Sequence, residues 1–202
     1  MLWVHLQNAP GADRKESFMN RFRFLFLMLV GLLVMRAGGA SADGMVTTGS
    51  AIRTKSIGPI TVKVYSITHQ MKEKPATRSK AAMIEADTDK QFVWYMQRDV
   101  DAEKIKTAMR DAFKLNGYGD SAKVEQFVGA FGKGDLVEYD RKKDPKPSVQ
   151  ISYNAASKGV TINVNGHGSA TIAGPEFMKA VWSIWFGKIE PASIGDNLMS
   201  AL

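Results

Sequence analysis

Two arginines, Arg21 and Arg23, precede an apolar run from Phe24 to Met35, and the small residues Ala40, Ser41 and Ala42 follow it. A basic start, a short apolar stretch and a small-x-small site are the layout of a secretory signal peptide. A spanning helix needs about 20 apolar residues; this run is shorter, and Arg36 interrupts its far side. The layout predicts a signal segment over residues 1–42, cleavage after Ala42, and one folded domain over residues 43–202 in the periplasm, with no integral span left. Met19, followed by Asn20 and Arg21, is a more natural signal start than Met1. The most hydrophobic stretch is thereby withdrawn from the core, and the remaining chain has to close the fold.

It has to do so without crosslinks. The chain contains no cysteine, so disulfides, thiolate metal sites and cysteine nucleophiles are excluded. A domain of about 160 residues can bury enough apolar surface to stand alone. The formal charge is +7; the first 42 residues, with five Lys or Arg and two acidic residues, supply three of those charges and leave +4. Basic and acidic residues are interspersed, and the one basic cluster, Arg141-Lys142-Lys143, lies beside Pro145 and Pro147. A nucleic-acid binder carries a denser basic stripe with aromatics placed for stacking. The cluster reads as a solvated loop, and no nucleic-acid partner is expected.

Asp43 to Ser50 reads as a Gly/Thr/Ser-rich lead-in. Ile57–Thr68 alternates and is rich in β-branched residues, which predicts a strand. Ala81–Ala86 and Phe92–Gln97 read as two further strands, split by a turn at Asp87-Thr88-Asp89. The period then changes: Val100, Ile105, Ala108, Met109, Ala112 and Phe113 form a helical stripe, with Asp101 as N-cap and Asn116-Gly117 as the stop. A second helix is predicted over Ser121–Phe131. Asp135–Asp140, Val149–Tyr153, Val160–Val164 and Ser169–Ile172 read as strands. A helix with a proline in its first turn runs from Pro175 to Phe186, and a last amphipathic turn or two follows Pro191. Strands, two helices, strands and one helix define an α+β chain: an antiparallel sheet with helices packed on one face.

Few residues carry obvious chemistry. His69 and His167, the two histidines after the leader, have no partner at ligand spacing, and a metal site needs three or four donors. Both read as surface or turn histidines, and no metal or cofactor is expected. The glycine pairs at Gly117 and Gly119 and at Gly132 and Gly134 lack the pattern of a phosphate loop. Trp182 and Trp185 read as core packing. Arg53 and Tyr65 are less ordinary. Tyr65 lies in a strongly apolar strand, and an arginine fork with a phenol hydroxyl can hold a carboxylate. The same pair also fits an exposed arginine and an ordinary strand tyrosine; whether both face one cleft separates the two.

Several segments together resemble the chalcone isomerase-like family. These are Gly49-Ser50-Ala51-Ile52-Arg53 with Val62-Lys63-Val64-Tyr65, then Arg98-Asp99-Val100-Asp101-Ala102-Glu103-Lys104-Ile105. Next come Asn116-Gly117-Tyr118-Gly119-Asp120 and Gly134-Asp135, and finally Val181-Trp182-Ser183-Ile184-Trp185-Phe186-Gly187 with Pro191. They occur in order over nearly all of the chain after residue 42. The resemblance implies an open-faced β-sandwich. It also implies that Arg53 matches the arginine of the plant ring-closing enzymes, while Tyr65, Val100, Thr107 and Ile184 stand where those enzymes carry threonine, tyrosine, asparagine and a further hydroxyl. Arginine together with tyrosine resembles instead the fatty-acid-binding branch of the superfamily. The resemblance therefore implies a carboxylate-binding site made of Arg53 and Tyr65, with apolar walls from the helices after Val100 and Gly174. Its expected ligand is a small amphipathic carboxylate such as a fatty acid. Two other readings stay open: an isomerase or lyase with Tyr65 as its acid or base, and a structural protein whose Arg53 sits in a satisfied polar cluster.

Overall fold

The computed structural model describes residues 44–202. The expected signal segment, its cleavage site and the choice between Met1 and Met19 lie outside the described residues.

Among the described residues, eight strands and five helices follow one another as β1 (Val46–Ile57), β2 (Ile60–Met71), α1 (Lys80–Glu85), β3 (Lys90–Met96), β4 (Val100–Asp101), α2 (Ala102–Leu115), α3 (Ser121–Gly129), β5 (Asp135–Leu136), β6 (Val149–Asn154), β7 (Gly159–Val164), β8 (Gly168–Ala173), α4 (Pro175–Phe186) and α5 (Ser193–Asn197). Six strands form one open sheet in the order β1-β2-β3-β6-β7-β8. Every neighbouring pair in it is antiparallel. Strands β4 and β5 make a separate two-stranded ribbon.

Period-two alternation sends one set of side chains toward the helices. Register lines them up in rows across the sheet: Arg53, Tyr65 and Met96 in the first row; Ala51, Ile67, Trp94, Val149 and Val164 in the second. His69, Phe92, Ile151 and Ile162 form the third row, and Met71, Lys90, Tyr153, Val160 and Ile172 the fourth. Helix α4 lies over this face and buries Phe177, Met178, Val181, Trp182, Ile184, Trp185 and Phe186. Helix α2 adds Ala102, Ile105, Met109 and Phe113. The opposite face of the sheet is polar and uncharged along its centre. There Gln70 donates to Thr47 at 3.3 Å, Gln91 to Gln70 at 2.7 Å, and Gln150 to Gln91 at 2.6 Å.

The caps act as expected at α2: the Asp101 side chain accepts from Lys104 N, and Gly117 follows the C-cap Asn116 with φ of 81°. Four expectations are corrected. The presumed lead-in is the start of β1, paired with β2 from Val46. Ala81–Ala86 is not a strand: Ala81 to Glu85 belong to α1, with Ala86 as its C-cap, and the helix is opened by the Ser79 side chain accepting from Ala82 N; that cap and the helix-forming Ala and Met decide it. The second helix stops at Gly129, and tight turns carry Ala130 to Gly132. The strand expected over Asp135–Asp140 shrinks to Asp135–Leu136, because β4 offers only two residues to pair with.

Candidate functional site

Arg53 and Tyr65 stand directly opposite each other in the β1–β2 ladder, immediately before a register shift at Arg53 and Thr54. Cross-strand partners point to one face, so both project toward the helices. Tyr65 is 6% exposed, while Arg53 is half-buried. The Tyr65 ring lies flat on Trp94, with centroids 4.5 Å apart and planes inclined by 3°. Its hydroxyl accepts a hydrogen bond from Trp185 Nε1 at 3.2 Å. Burial raises the phenol pKa; the Trp185 hydrogen bond and the positive charge of Arg53 pull the other way. The phenol therefore keeps its proton at neutral pH and acts as a donor.

That corner holds more donors than acceptors. The Tyr65 O–H proton meets no acceptor among the described residues. Trp94 Nε1, buried under the same stack, also has no hydrogen-bond partner. Arg53 has no ion-pair or side-chain hydrogen-bond partner among the described residues. An unpaired buried N–H is costly, and a guanidinium, a phenol and an indole N–H all match an anion. The sequence pointed to Arg53 and Tyr65 but not to Trp94 or Trp185. Period-two alternation through Phe92, Trp94 and Met96 could have placed Trp94 on the same face as Tyr65.

The remaining positions named from the resemblance are scattered. Val100 is half-buried in β4, Thr107 is exposed on α2, and Ile184 is 2% exposed on α4. None brings a further polar group to Arg53. A separate surface depression of about 440 Å³ lies at the β7–β8 turn, lined by Lys146, Gln150, Asn163, Asn165, His167 and Ser169 among others, and includes neither Arg53 nor Tyr65. Its polar lining is largely exposed, so it offers none of the desolvated donors found beside Trp94.

A second polar cluster is structural. His69, expected at the surface, is fully buried within β2. It accepts from Trp182 Nε1 at 2.9 Å, and its Nδ1 lies 2.7 Å from Thr48 Oγ1. Burial, and to a lesser degree the charge of Lys90, push its pKa down to about 3. Lys90 is fully buried as well. Its Nζ donates to the carbonyls of Met83 at 2.9 Å and Ile84 at 3.1 Å, at the end of α1, and lies 4.7 Å from the Trp182 ring centroid. Burial brings the Lys90 pKa down to about 7, against the pull of Asp87 and Glu85.

Among the described residues, no group of three or more His, Asp or Glu side chains is arranged to hold a metal ion. Nor is any described helix long and apolar enough to cross a membrane.

An open antiparallel sheet carrying helices on one face is the architecture that the sequence resemblance implied. The chalcone isomerase-like family model matches residues 37–199, and the chain belongs to that family. Among solved structures it is similar to the fatty-acid binding protein AtFAP1 of Arabidopsis thaliana. The identity is 15% and the TM-score 0.57, over 80% of this chain and 90% of that one. At that identity the likeness speaks for the fold. No curated protein matches the sequence.

Proposed function

We propose that this protein is a periplasmic binding protein for a small amphipathic carboxylate, a fatty acid in the first instance. Arg53 is the charge anchor and Tyr65 the hydroxyl donor. The observation that carries the reading is the surplus of donors around the Tyr65–Trp94 stack, where Tyr65 O–H and Trp94 Nε1 both lack an acceptor. A carboxylate brings two acceptor oxygens and one negative charge, which answers that surplus. The fatty-acid-binding structural neighbour supports the same ligand class. The acyl chain would run against the apolar faces of α2 and α4, where Met96 and Met109 supply side chains that adapt to a flexible ligand.

Ring-closing catalysis is the weaker reading. It needs a base or several oriented donors beside Arg53, and Val100 and Ile184 offer apolar side chains instead. The raised phenol pKa removes Tyr65 as a base near neutral pH.

Native mass spectrometry of the purified protein, with calorimetric titration of palmitate or oleate, tests the proposal. An acyl mass should co-purify and disappear in Arg53→Ala. Tyr65→Phe should weaken binding by roughly 10- to 100-fold, the usual range for a hydrogen bond to a charged group. Wild-type protein that carries no acyl mass and takes up neither acid would refute it.

A further inference from the structure

The β1–β2 hairpin is longer than the sheet it belongs to. Strand β3 pairs with β2 only from Tyr65 onward, whereas Thr54 to Ile57 pair with Ile60 to Lys63 and with nothing else. The tip therefore projects past the end of the sheet, closed by Gly58 and Pro59, with Gly58 at a φ of 59°. This finger has an unusual composition. From Val46 to Lys72 the chain contains no Asp or Glu, yet it carries Arg53, Lys55, Lys63 and Lys72. Lys72 has an acidic neighbour in Asp89, at 3.9 Å. Arg53, Lys55 and Lys63 have no ion-pair partner among the described residues.

The finger also presents apolar surface. Ile60 at the tip is 63% exposed and Ile52 at the base 45%. Both lie on the side of the hairpin turned away from the helices, with Val62 and Val64 half-buried between them. Lys55 pairs with Val62 on that same side. Water-exposed isoleucines at the end of a projection cost free energy that burial in an apolar medium would recover. Unpaired lysines, Lys55 on that side and Lys63 on the other side of the same finger, favour a surface of negative charge, and a free acidic peptide would leave Ile60 in water. An anionic bilayer answers both features: its headgroups meet Lys55 and Lys63 while its acyl boundary takes the apolar tip.

We propose that the β1–β2 hairpin is a membrane-surface docking element, which inserts Ile60 at the interface of an anionic phospholipid bilayer with Lys55 and Lys63 against the headgroups. The docking does not depend on the ligand bound beside Tyr65. It is reversible, because one apolar tip and a few cations fall well short of a spanning helix.

Vesicle flotation with the domain spanning residues 43–202, the part that carries the described core, tests this directly. Vesicles of phosphatidylcholine with one quarter phosphatidylglycerol should carry the protein; phosphatidylcholine alone should not. Ile60→Ser should reduce the bound fraction at least tenfold. Lys55→Ser with Lys63→Ser should reduce it about 25-fold, at roughly fivefold per lysine, and added salt should do the same. Melting curves should be unchanged, since these side chains are exposed and touch no core. Three outcomes would overturn the proposal. One is absence of binding to the anionic vesicles; another is binding that both variants retain. The third is a dimer in sedimentation that Ile60→Ser dissolves while vesicles are ignored.

Discussion

Trp182 donates its indole N–H to Nε2 of His69 at 2.9 Å. A neutral imidazole that accepts at Nε2 carries its proton on Nδ1, and that proton faces Thr48 Oγ1 at 2.7 Å. The Thr48 hydroxyl then donates to the carbonyl of Leu198 at 2.8 Å. One directional chain of hydrogen bonds thus links α4, the second strand, the first strand and the C-terminal segment. Its polarity depends on His69 staying uncharged.

Acid should break that chain. The His69 pKa is about 3 in the fold and about 6.5 in an unfolded chain. As pH falls below about 6.5 the unfolded state takes up a proton that the folded state refuses, so stability declines with falling pH down to about 3. Urea midpoints measured from pH 7.5 to pH 4 should fall more steeply for wild type than for His69→Gln, which carries no titrating group. Parallel curves would show that His69 contributes nothing to acid sensitivity.

Trp94→Phe separates ligand recognition from packing. Phenylalanine keeps the stack on Tyr65 and deletes the unpaired N–H, whose burial costs about 1–3 kcal/mol. The lost ring volume works in the opposite direction. The free protein should therefore stay within about 1 kcal/mol of wild type, while affinity for a fatty acid drops about tenfold. Unchanged affinity in a calorimetric titration would remove the Trp94 N–H from the site.

Gly49→Ala should dislodge the C-terminal segment. A Cβ on Gly49 would sit 2.6 Å from the carbonyl carbon of Leu198 and closer still to Asn197 O, both backbone atoms that cannot swing aside. Overpacking of this kind costs about 1–3 kcal/mol. A lower melting temperature should be accompanied by faster proteolysis near Leu198. A variant as stable and as resistant as wild type would contradict the close approach.

Asn116 joins the ends of two helices. Its Oδ1 accepts from Lys188 N at 2.7 Å, and its Nδ2 donates to Ala112 O at 2.9 Å and to Lys188 O at 3.1 Å. Asn116→Ala should lower stability by roughly 1–3 kcal/mol through the backbone groups it leaves unpaired. Hydrogen exchange should speed up at Lys188 and leave β6 and β7 untouched. Uniform acceleration across the sheet would mean that the residue acts globally instead.

What the sequence shows of this fold depends on how local each cause is. Helix α2 is legible because its stripe, the Asp101 cap and the Asn116-Gly117 stop lie within one stretch. Helix α1 is not, since its six residues bury only Met83 and hold too little pattern to outweigh a strand reading. The start of β1 hides for another reason. Its inward positions are Gly49, against which the C-terminal segment packs, and the small Ala51, so the hydrophobic alternation that marks a strand is missing. His69 reads as a surface residue because its partners Thr48 and Trp182 are 21 and 113 positions away. At the candidate site, Arg53 and Tyr65 stand out by residue type. Their pairing needs the β1–β2 register, and Trp185 joins them from 120 positions away.

Thr48 also accepts from Ala201 N at 2.8 Å, so the beginning of the first strand and the close of the chain are neighbours on one edge of the sheet. A short glycine–serine linker could splice Leu202 to Val46. New ends could then be opened in the exposed loop around Arg141 to Lys143, which tolerates cutting because no strand or helix crosses it. The domain is thus suited to circular permutation, or to insertion as a cassette within a surface loop of a host protein.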